Sequence, residues 1–435
     1  MNQEPDPGIR YQRWAVGYAA AWFFFILLGY FVIRPVRDTM GSVVGSDGLR
    51  SLMWVTLVVM FLAVPAYAML VARLPRRWLV RVVFHFFTAC LIGFYFLMQW
   101  DSQPVQWWTS RVFFVWVNVF SLFATSVFWS VMADSFDSSQ AKRLFGIVAA
   151  GGTSGAIVGS LLTSQIAELI PTAKLLWIPV VTIQAGLWCA WRLENQTRRM
   201  PSNAQRLNQA SDQGVAAKSN AKPDHGIFAG IAAVGQSRYL LMICLFLFFA
   251  QALGTQLYFQ QAEIVAEAFE SKSQRVAFFS YLDLGTQLLT IAIQSIAAGW
   301  VLRRWGVAVA LVLLPLVYFA VLGSLAVSPT LAVLVVAMIL TRGVGYGMTV
   351  PSREVLFTVV SREDKYKSKS FIDTVVLRGA DAMSGAIFAE LRRFVTTTTT
   401  SFLMLPVVVI WGVTAWRLGR RQQSLADSLR KGDAS

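Results

Sequence analysis

Long apolar runs are the feature of this sequence that most constrains its fold. Twelve of them are long enough to cross a bilayer, which takes about 20 residues per helix. Apolar residues make up 56% of the chain and charged residues only 14%, which excludes a soluble globular domain. Because lipid offers no hydrogen bonds to the backbone, the runs are predicted to be helices, and the chain an all-α polytopic membrane protein. The predicted spans are 14–33, 51–71, 79–98, 111–133, 145–166, 175–191, 239–261, 276–302, 307–325, 330–360, 370–391 and 401–416.

The spans fall into two groups of six, separated by a polar segment. Residues 192–236 are rich in Ala, Ser, Asn, Gln and Lys and have no apolar period, which is typical of a flexible linker. No small-residue cleavage site follows the run that begins at Trp14, so we interpret this run as the first helix and not as a signal peptide. The predicted division is an N-terminal half at 1–191, the linker at 192–236, a C-terminal half at 237–420 and a tail at 421–435.

The basic residues indicate the orientation. The chain carries 38 Lys and Arg residues and a formal net charge of +15. They lie in short clusters between apolar runs and not along one patch, which argues against nucleic-acid binding. Most of them fall on the side of the N-terminus, the linker and the C-terminus, so these are predicted to be cytoplasmic. We expect a monomer surrounded by lipid in a bacterial inner membrane.

A tight, charged turn recurs in the two halves, between helices 4 and 5 and between helices 10 and 11. Residues 137–140 have the form of a capping box, which starts a new helix, and residues 361–364 repeat the plan. The charged residues of these turns, which we predict to act in gating, are Asp137, Lys142, Arg143, Lys365 and Lys369.

Three glycines recur at every fourth position of the predicted fifth helix. Gly151, Gly155 and Gly159 therefore lie on one face, where another helix can approach closely. We predict that this face packs and carries no chemistry.

Charged residues inside the spans are the main candidates for a site. A charge at the bilayer centre costs about 2.5 to 3.5 kcal/mol on insertion scales, so it is expected to face a cavity or to pair with another charge. The predicted solute-binding cations are Arg34, Arg37, Arg342, Arg353 and Arg378. The predicted coupling or charge-pair residues are Asp283, Glu354, Asp373 and Asp381. The alternative is structural: Arg34 snorkels at a helix end beside Asp38, and Arg342 and Arg353 pair only with Asp283, Glu354 or Asp373.

Two helices of the second half carry further signals. Gln251, Thr255 and Tyr258 share one face of helix 7, which contacts either the solute or a neighbouring helix; Gln251 and Tyr258 are added to the predicted solute site. Helix 10 contains Gly343, Gly345, Gly347 and Pro351, and its span is long for a straight crossing, so a kink or an interruption is predicted there.

Several of these motifs resemble the nucleotide (ATP/ADP) translocases of intracellular bacteria and plastids. Residues 30–39 read Y-x-x-x-R-x-x-R-D-T, a Phe-Trp pair at 128–129 is followed by Ala-Lys-Arg at 141–143, and residues 365–378 read K-Y-K-S-K-x-F-I-D-T-V-V-x-R. The resemblance implies a secondary transporter without ATPase chemistry that exchanges phosphorylated solutes, and it puts Arg37 at the position of the basic residue in helix 1. The six-plus-six arrangement likewise matches the major facilitator architecture, in which two repeats surround a midplane cavity.

The sequence departs from the translocase pattern in two helices. Val117 and Asn118 stand where these proteins carry an acidic residue in helix 4, and Asp381 stands where they carry a lysine in helix 11. A lost cation and a gained carboxylate disfavour a polyphosphate, because charges act strongly in a low dielectric.

Enzyme chemistry has little support. The sequence has no G-x-x-x-x-G-K-[ST] loop and no cluster with metal-ligand spacing, and its only histidines are His85 and His225. We therefore predict no catalytic residue, no cofactor and no metal. Proton coupling would have to use carboxylates, with Asp381 and Asp283 first.

Two classes of function stay open. The favoured one is a secondary transporter of a polar, anionic small molecule that works by rocking of its two halves, either by exchange or as a proton-coupled carrier of another organic solute. The alternative is a protein of the same fold that moves lipid or serves as a partner subunit. Buried Arg and Asp side chains favour the first, because a lipid tail needs no such charges.

Overall fold

The structure of the protein is a computed structural model, and it describes residues 7–136, 138–197, 234–361, 364, 368–369 and 371–432. Nearly all of these residues are helical and none is in a strand, which confirms the predicted all-α fold class. The helices are α1 Pro7–Val43, α2 Gly45–Arg73, α3 Arg76–Gln99, α4 Gln103–Ser135, α5 Ser138–Ile166, α6 Trp177–Thr197, α7 Arg238–Ala268, α8 Lys272–Arg304, α9 Gly306–Val327, α10 Leu331–Val359, α11 at 371–391 and α12 Thr397–Gly432.

Within the described residues, eleven of these helices are long and apolar enough to cross a membrane. The remaining predicted span, 370–391, corresponds to α11 and is also helical, but it carries Asp373, Arg378 and Asp381 and is therefore more polar than the others. Helices α1 and α12 extend well beyond the predicted spans 14–33 and 401–416. A polar sequence can stay helical after it leaves the lipid, so hydropathy marks the membrane crossing and not the end of the helix.

Contacts between Cα atoms divide the described chain into two compact units. The first contains α1 up to Arg37, α2 from Pro65, helices α3 to α6 and the short segment Val276–Ser280. The second contains Asp38–Val64, helix α7, the rest of α8 and helices α9 to α12. The end of α1 and the first part of α2 thus pack with helices from the second half of the sequence. The predicted linker lies mostly at 198–233, outside the described residues, and the domain division at 192–236 stays a prediction.

The predicted glycine face packs on α1 inside the first unit. A Cβ atom added to Gly151 or to Gly159 would lie 2.6 Å from the carbonyl oxygen of Ala20 or of Leu28, and one on Gly155 would come still closer to the carbonyl of Phe24. A real Cβ cannot occupy these places, so α5 touches the α1 backbone directly.

Three π-helical turns interrupt helices of the second unit. They lie at Ile293–Ala298 in α8, Gly345–Thr349 in α10 and Ile372–Val376 in α11. The interruption predicted for α10 thus takes this form. Gly347 packs on Ile293, since an added Cβ would lie 2.8 Å from that side chain. Such turns disturb the regular hydrogen-bond ladder and occur frequently at functional sites.

Candidate functional site

Asp381 of α11 is held by three donors. Its Oδ1 accepts hydrogen bonds from Gln251 Nε2 and Thr255 Oγ1 of α7, both at 2.7 Å. Its Oδ2 lies 3.3 Å from Nη1 of Arg378, one turn earlier on α11. The helix-7 face predicted from the spacing therefore meets a neighbouring helix at Gln251 and Thr255, and three predicted site residues come together here. A buried carboxylate with this many donors is satisfied as an anion.

A second cluster joins α7, α8 and α10 around Arg342. Asp283 of α8 is 1% exposed, and its Oδ1 lies 3.7 Å from Arg342 Nη1. That distance permits electrostatic attraction but exceeds hydrogen-bond length. Arg342 Nη2 donates at 3.0 Å to the side-chain oxygen of Gln261 on α7. The pairing with Asp283 is the one that the structural alternative allowed for.

Gln261 was not among the predicted site residues. It follows Tyr258 by one turn on the same helix-7 face, within the run Gln256 to Gln261. The interval of three residues after Tyr258 was the sequence feature that could have added Gln261 to the predicted site. The amide oxygen that accepts from Arg342 carries no formal charge, so Gln261 orients the guanidinium without neutralising it.

The charged end of α1 is divided between the two units. Arg34 is 8% exposed, and its guanidinium lies 5.5 Å from the centre of the Phe31 ring. The Arg37 guanidinium lies 5.8 Å from the ring of Phe114 on α4, in the first unit. Asp38 belongs to the second unit, where its carboxylate accepts a hydrogen bond from the Tyr258 hydroxyl at 3.2 Å. Tyr258 thus contacts a different element from Gln251 and Thr255.

Two ion pairs connect the last part of α10 to Lys369, which precedes α11, and to Asp373 in the first turns of α11. Arg353 pairs with Asp373, and Glu354 pairs with Lys369, at 2.5 Å in each case. The Lys369 ammonium also lies 5.1 Å from the centre of the Phe357 ring. Arg353 was predicted to bind solute or to pair with a carboxylate, and Glu354 to couple ions or to form a charge pair; in the structure both residues form ion pairs between helices, and their roles in transport stay predictions.

The repeated turns are described only in part. Asp137 and Lys365, and the side chains of Lys142 and Arg143, lie outside the described residues. In the second turn, Ser361 Oγ accepts from the Asp364 amide at 3.1 Å and donates to the Asp364 carboxylate at 2.8 Å. Helix α5 begins at Ser138, as the first capping box predicts.

Sequence reasoning missed a group of charges at the opposite end of the second unit. The Arg392 guanidinium binds Glu263 of α7 at 2.8 Å, and Arg393 binds Asp47 of α2 at 3.1 Å. Arg50 lies 3.5 Å from both Asp47 and Glu390. These residues lie at helix ends, where charged side chains are common. Their positions in the sequence therefore did not indicate that they form ion pairs with each other.

The described residues contain no group of three or more His, Cys, Asp or Glu side chains that could hold a metal ion. What the second unit brings together is buried carboxylates, arginines and amides on facing helices. Such sets can bind an anion, move a proton or hold helices together.

The sequence is similar to that of known membrane transporters. The sequence profile of the Major Facilitator Superfamily matches residues 14–369. The ADP,ATP carrier protein 2 of Chlamydia pneumoniae is 21% identical over 483 aligned positions, which cover 93% of this chain and 88% of that protein.

Solved transporter structures share the fold at low sequence identity. A bacterial homologue of the human lysosomal transporter Spinster, inward-facing and unoccupied, is 14% identical with a TM-score of 0.59, covering 97% of this chain and 99% of its own. A D-xylose-proton symporter is 12% identical with a TM-score of 0.60, covering 94% and 96%. A mutant of the nucleoside transporter NupG is 14% identical with a TM-score of 0.54, covering 95% and 99%.

Proposed function

The chain belongs to the Major Facilitator Superfamily and transports a solute across a membrane, and we propose that this solute is a small organic anion. The first candidates are a nucleotide or another phosphorylated metabolite. Transport proceeds by alternating access, without hydrolysis of the solute.

The incomplete set of hydrogen bonds made by the Arg342 guanidinium is the main support for this proposal. A guanidinium has five N–H donors. Among the described residues Arg342 donates one hydrogen bond, to Gln261, and its carboxylate neighbour Asp283 stays at 3.7 Å. Its side chain is 16% exposed, so the protein does not enclose it completely. A partly satisfied cation in a membrane helix is suited to receive the oxygens of a phosphate or a carboxylate.

Helix α1 supports the same class of solute. Arg34 and Arg37 of the first unit are also cations within a membrane span. Arg37 has the position at which the translocase family carries its basic residue, and one relative of this chain is named as an ADP,ATP carrier. Nucleotides therefore head the list of solutes to test.

A second candidate is coupling of transport to protons through Asp283. The carboxyl group is buried beside Arg342 and lies beyond hydrogen-bond distance from it. Protonation would remove the negative charge next to the cation and leave Arg342 free to bind an anion. By contrast, Asp381 is held by Gln251, Thr255 and Arg378, which suits a structural carboxylate.

The test is counterflow in proteoliposomes with a panel of nucleotides, sugar phosphates and organic anions. Arg342→Gln should abolish counterflow of the accepted solute, because an anion would enter without its charge-assisted hydrogen bonds. Arg392→Gln is the control, since it changes an arginine of the same unit that lies outside the predicted solute site and is already paired with Glu263. Full counterflow in the Arg342→Gln protein would reject the proposed role of Arg342, and transport of uncharged solutes alone would reject the anion class.

A further inference from the structure

Exposed arginines gather at the end of the second unit where α8, α9 and α12 meet. Gly306 begins α9 with a φ of 79°, and a Cβ atom added to it would overlap the side-chain amide of Gln423 on α12. One added to Gly419 of α12 would overlap the backbone of Ala308 on α9. The turn between α8 and α9 therefore packs directly on α12. Within one helical turn of these contacts lie five exposed residues that we call the arginine patch: Arg303, Arg304, Arg417, Arg420 and Arg421.

The arginine patch is not neutralised within the part of the chain that the structure describes, where none of its guanidinium groups pairs with a carboxylate. The acidic residue of α12, Asp427, lies six residues beyond the last of them. The two arginines of α8 are in its last turn, where the helix C-terminus favours positive charge. The three of α12 have no such support, because α12 continues to Gly432. Arg417 and Arg421, four residues apart on one face, repel each other.

The arginine patch begins where the exposed apolar surface of α12 ends. Val413 and Trp416 are exposed on one face of this helix, and Arg420 continues that face at helical spacing. Two more exposed tryptophans, Trp300 and Trp305, flank the arginines of α8, and their ring centres are 4.7 Å apart. Tryptophan is enriched at membrane–water interfaces, so this change from apolar to basic surface marks the level of the lipid headgroups.

Two side chains of the arginine patch turn back towards the membrane spans. The Arg420 guanidinium lies 5.9 Å from the centre of the Trp416 ring, one turn earlier on α12. Arg303 covers Gly299, one turn earlier on α8, since its Nη2 would lie 3.8 Å from a Cβ atom added there. Side chains lean towards the N-terminus of their helix, which is the membrane side for both helices. An arginine that only reached for water would extend the other way, so these guanidinium groups lie at headgroup level.

We propose that the arginine patch binds the headgroup of an anionic phospholipid, separately from the transported solute. The lipid phosphate accepts charge-assisted hydrogen bonds from the guanidinium groups of α8 and α12, and the acyl chains lie along the exposed apolar face of α12. A zwitterionic headgroup carries its own cation, which the arginines repel, so the patch selects a headgroup with a net negative charge. A soluble phosphodiester would leave the tryptophans and the apolar face uncovered.

The experiment uses the full-length protein in a non-ionic detergent and measures the midpoint of thermal unfolding against ligand concentration. The probe is dihexanoyl phosphatidylglycerol. Dihexanoyl phosphatidylcholine tests the need for net charge, and glycerophosphoglycerol, which has the same phosphodiester without acyl chains, tests the need for a lipid. Only the first should raise the midpoint of the wild type. The Arg420→Gln/Arg421→Gln protein should bind it roughly thirtyfold more weakly, because each basic residue near an anionic lipid surface contributes a factor of about five.

The matched control is Arg81→Gln/Arg192→Gln, which removes the same charge. Both arginines are exposed and stack on tryptophans, at 5.8 Å from Trp78 and 5.1 Å from Trp188, but they belong to the first unit. The control should bind the probe like the wild type. The proposal is overturned by no response of the wild type, by an equal response to either comparison ligand, by unchanged binding in the Arg420→Gln/Arg421→Gln protein, or by equal weakening in the control. Should the Arg420→Gln/Arg421→Gln protein fail to fold, Arg303→Gln/Arg304→Gln replaces it with the same expected loss.

Discussion

The Thr255 hydroxyl of α7 donates to the Asp381 carboxylate of α11 at 2.7 Å, and this bond joins two helices that are distant in the sequence. Gln251 binds the same oxygen from one turn earlier on α7. Asp381 is therefore a junction between helices, with Arg378 as its charge partner.

Asp381→Leu should destabilise the protein by about 2 kcal/mol, because the Gln251 and Thr255 donors lose their acceptor inside the protein. The Arg378 side chain is 35% exposed and adds little to this cost. Asp381→Asn should cost less, since its amide oxygen still accepts from Thr255. Thermal unfolding in detergent measures both. Equal stability of the Leu protein and the wild type would show that the cluster does not hold α7 to α11.

Asp283→Asn should abolish accumulation driven by a pH gradient and leave solute counterflow intact, if Asp283 carries a coupling proton. Exchange moves no net proton, whereas net uptake against a gradient does. Both modes are measured on the same proteoliposomes. Accumulation that survives in the Asn protein would exclude coupling through this residue.

Arg37→Gln should abolish transport of a phosphorylated anion, because the solute would lose a charge-assisted interaction inside the membrane. Arg37→Lys should restore part of it, since the charge returns without the planar fork. Counterflow is again the measurement. Normal transport by the Gln protein would remove Arg37 from the solute site.

Gly155→Leu should prevent folding or transport, because the new side chain would enter the space taken by the backbone of Phe24. Val158→Leu is the control, since Val158 is exposed on the same helix. Expression yield and monodispersity distinguish the two variants. Comparable yields would mean that α5 can move away from α1 at no cost.

Reporter fusions after Gln205 and at the C-terminus should both read cytoplasmic. The expectation rests on the basic residues, which concentrate in the loops on that side. A periplasmic reading at either position would contradict the predicted orientation.

The helices were predictable from sequence because each apolar run has no alternative in lipid. Their polar extensions were not, since the residues of α12 after Trp416 are no longer constrained by the membrane. The glycine face was predictable for a similar reason: spacing by four puts Gly151, Gly155 and Gly159 on one side of a helix whatever their partner is.

For each buried charge the sequence predicted the chemical type of its partner, but not which residue that partner is. The sequence indicated Arg342 and Asp283 as site candidates because both lie inside predicted membrane spans. It left several carboxylates open as the ion-pair partner of Arg342. The choice depends on how helices pack across long separations, and Gln261 enters the cluster through that packing. The contact of Arg393 with Asp47 had no signal, because two surface charges far apart in the chain carry no periodicity.

The direct contact between α5 and α1 has a consequence for motion during transport. Gly151 faces Ala20, Gly155 faces Phe24 and Gly159 faces Leu28, so both helices advance by four residues from one contact to the next. Sliding by less than a full turn would drive neighbouring side chains of α5 into the carbonyl oxygens of α1. These two helices are therefore locked in register and should travel as a single rigid rod through every stage of the cycle.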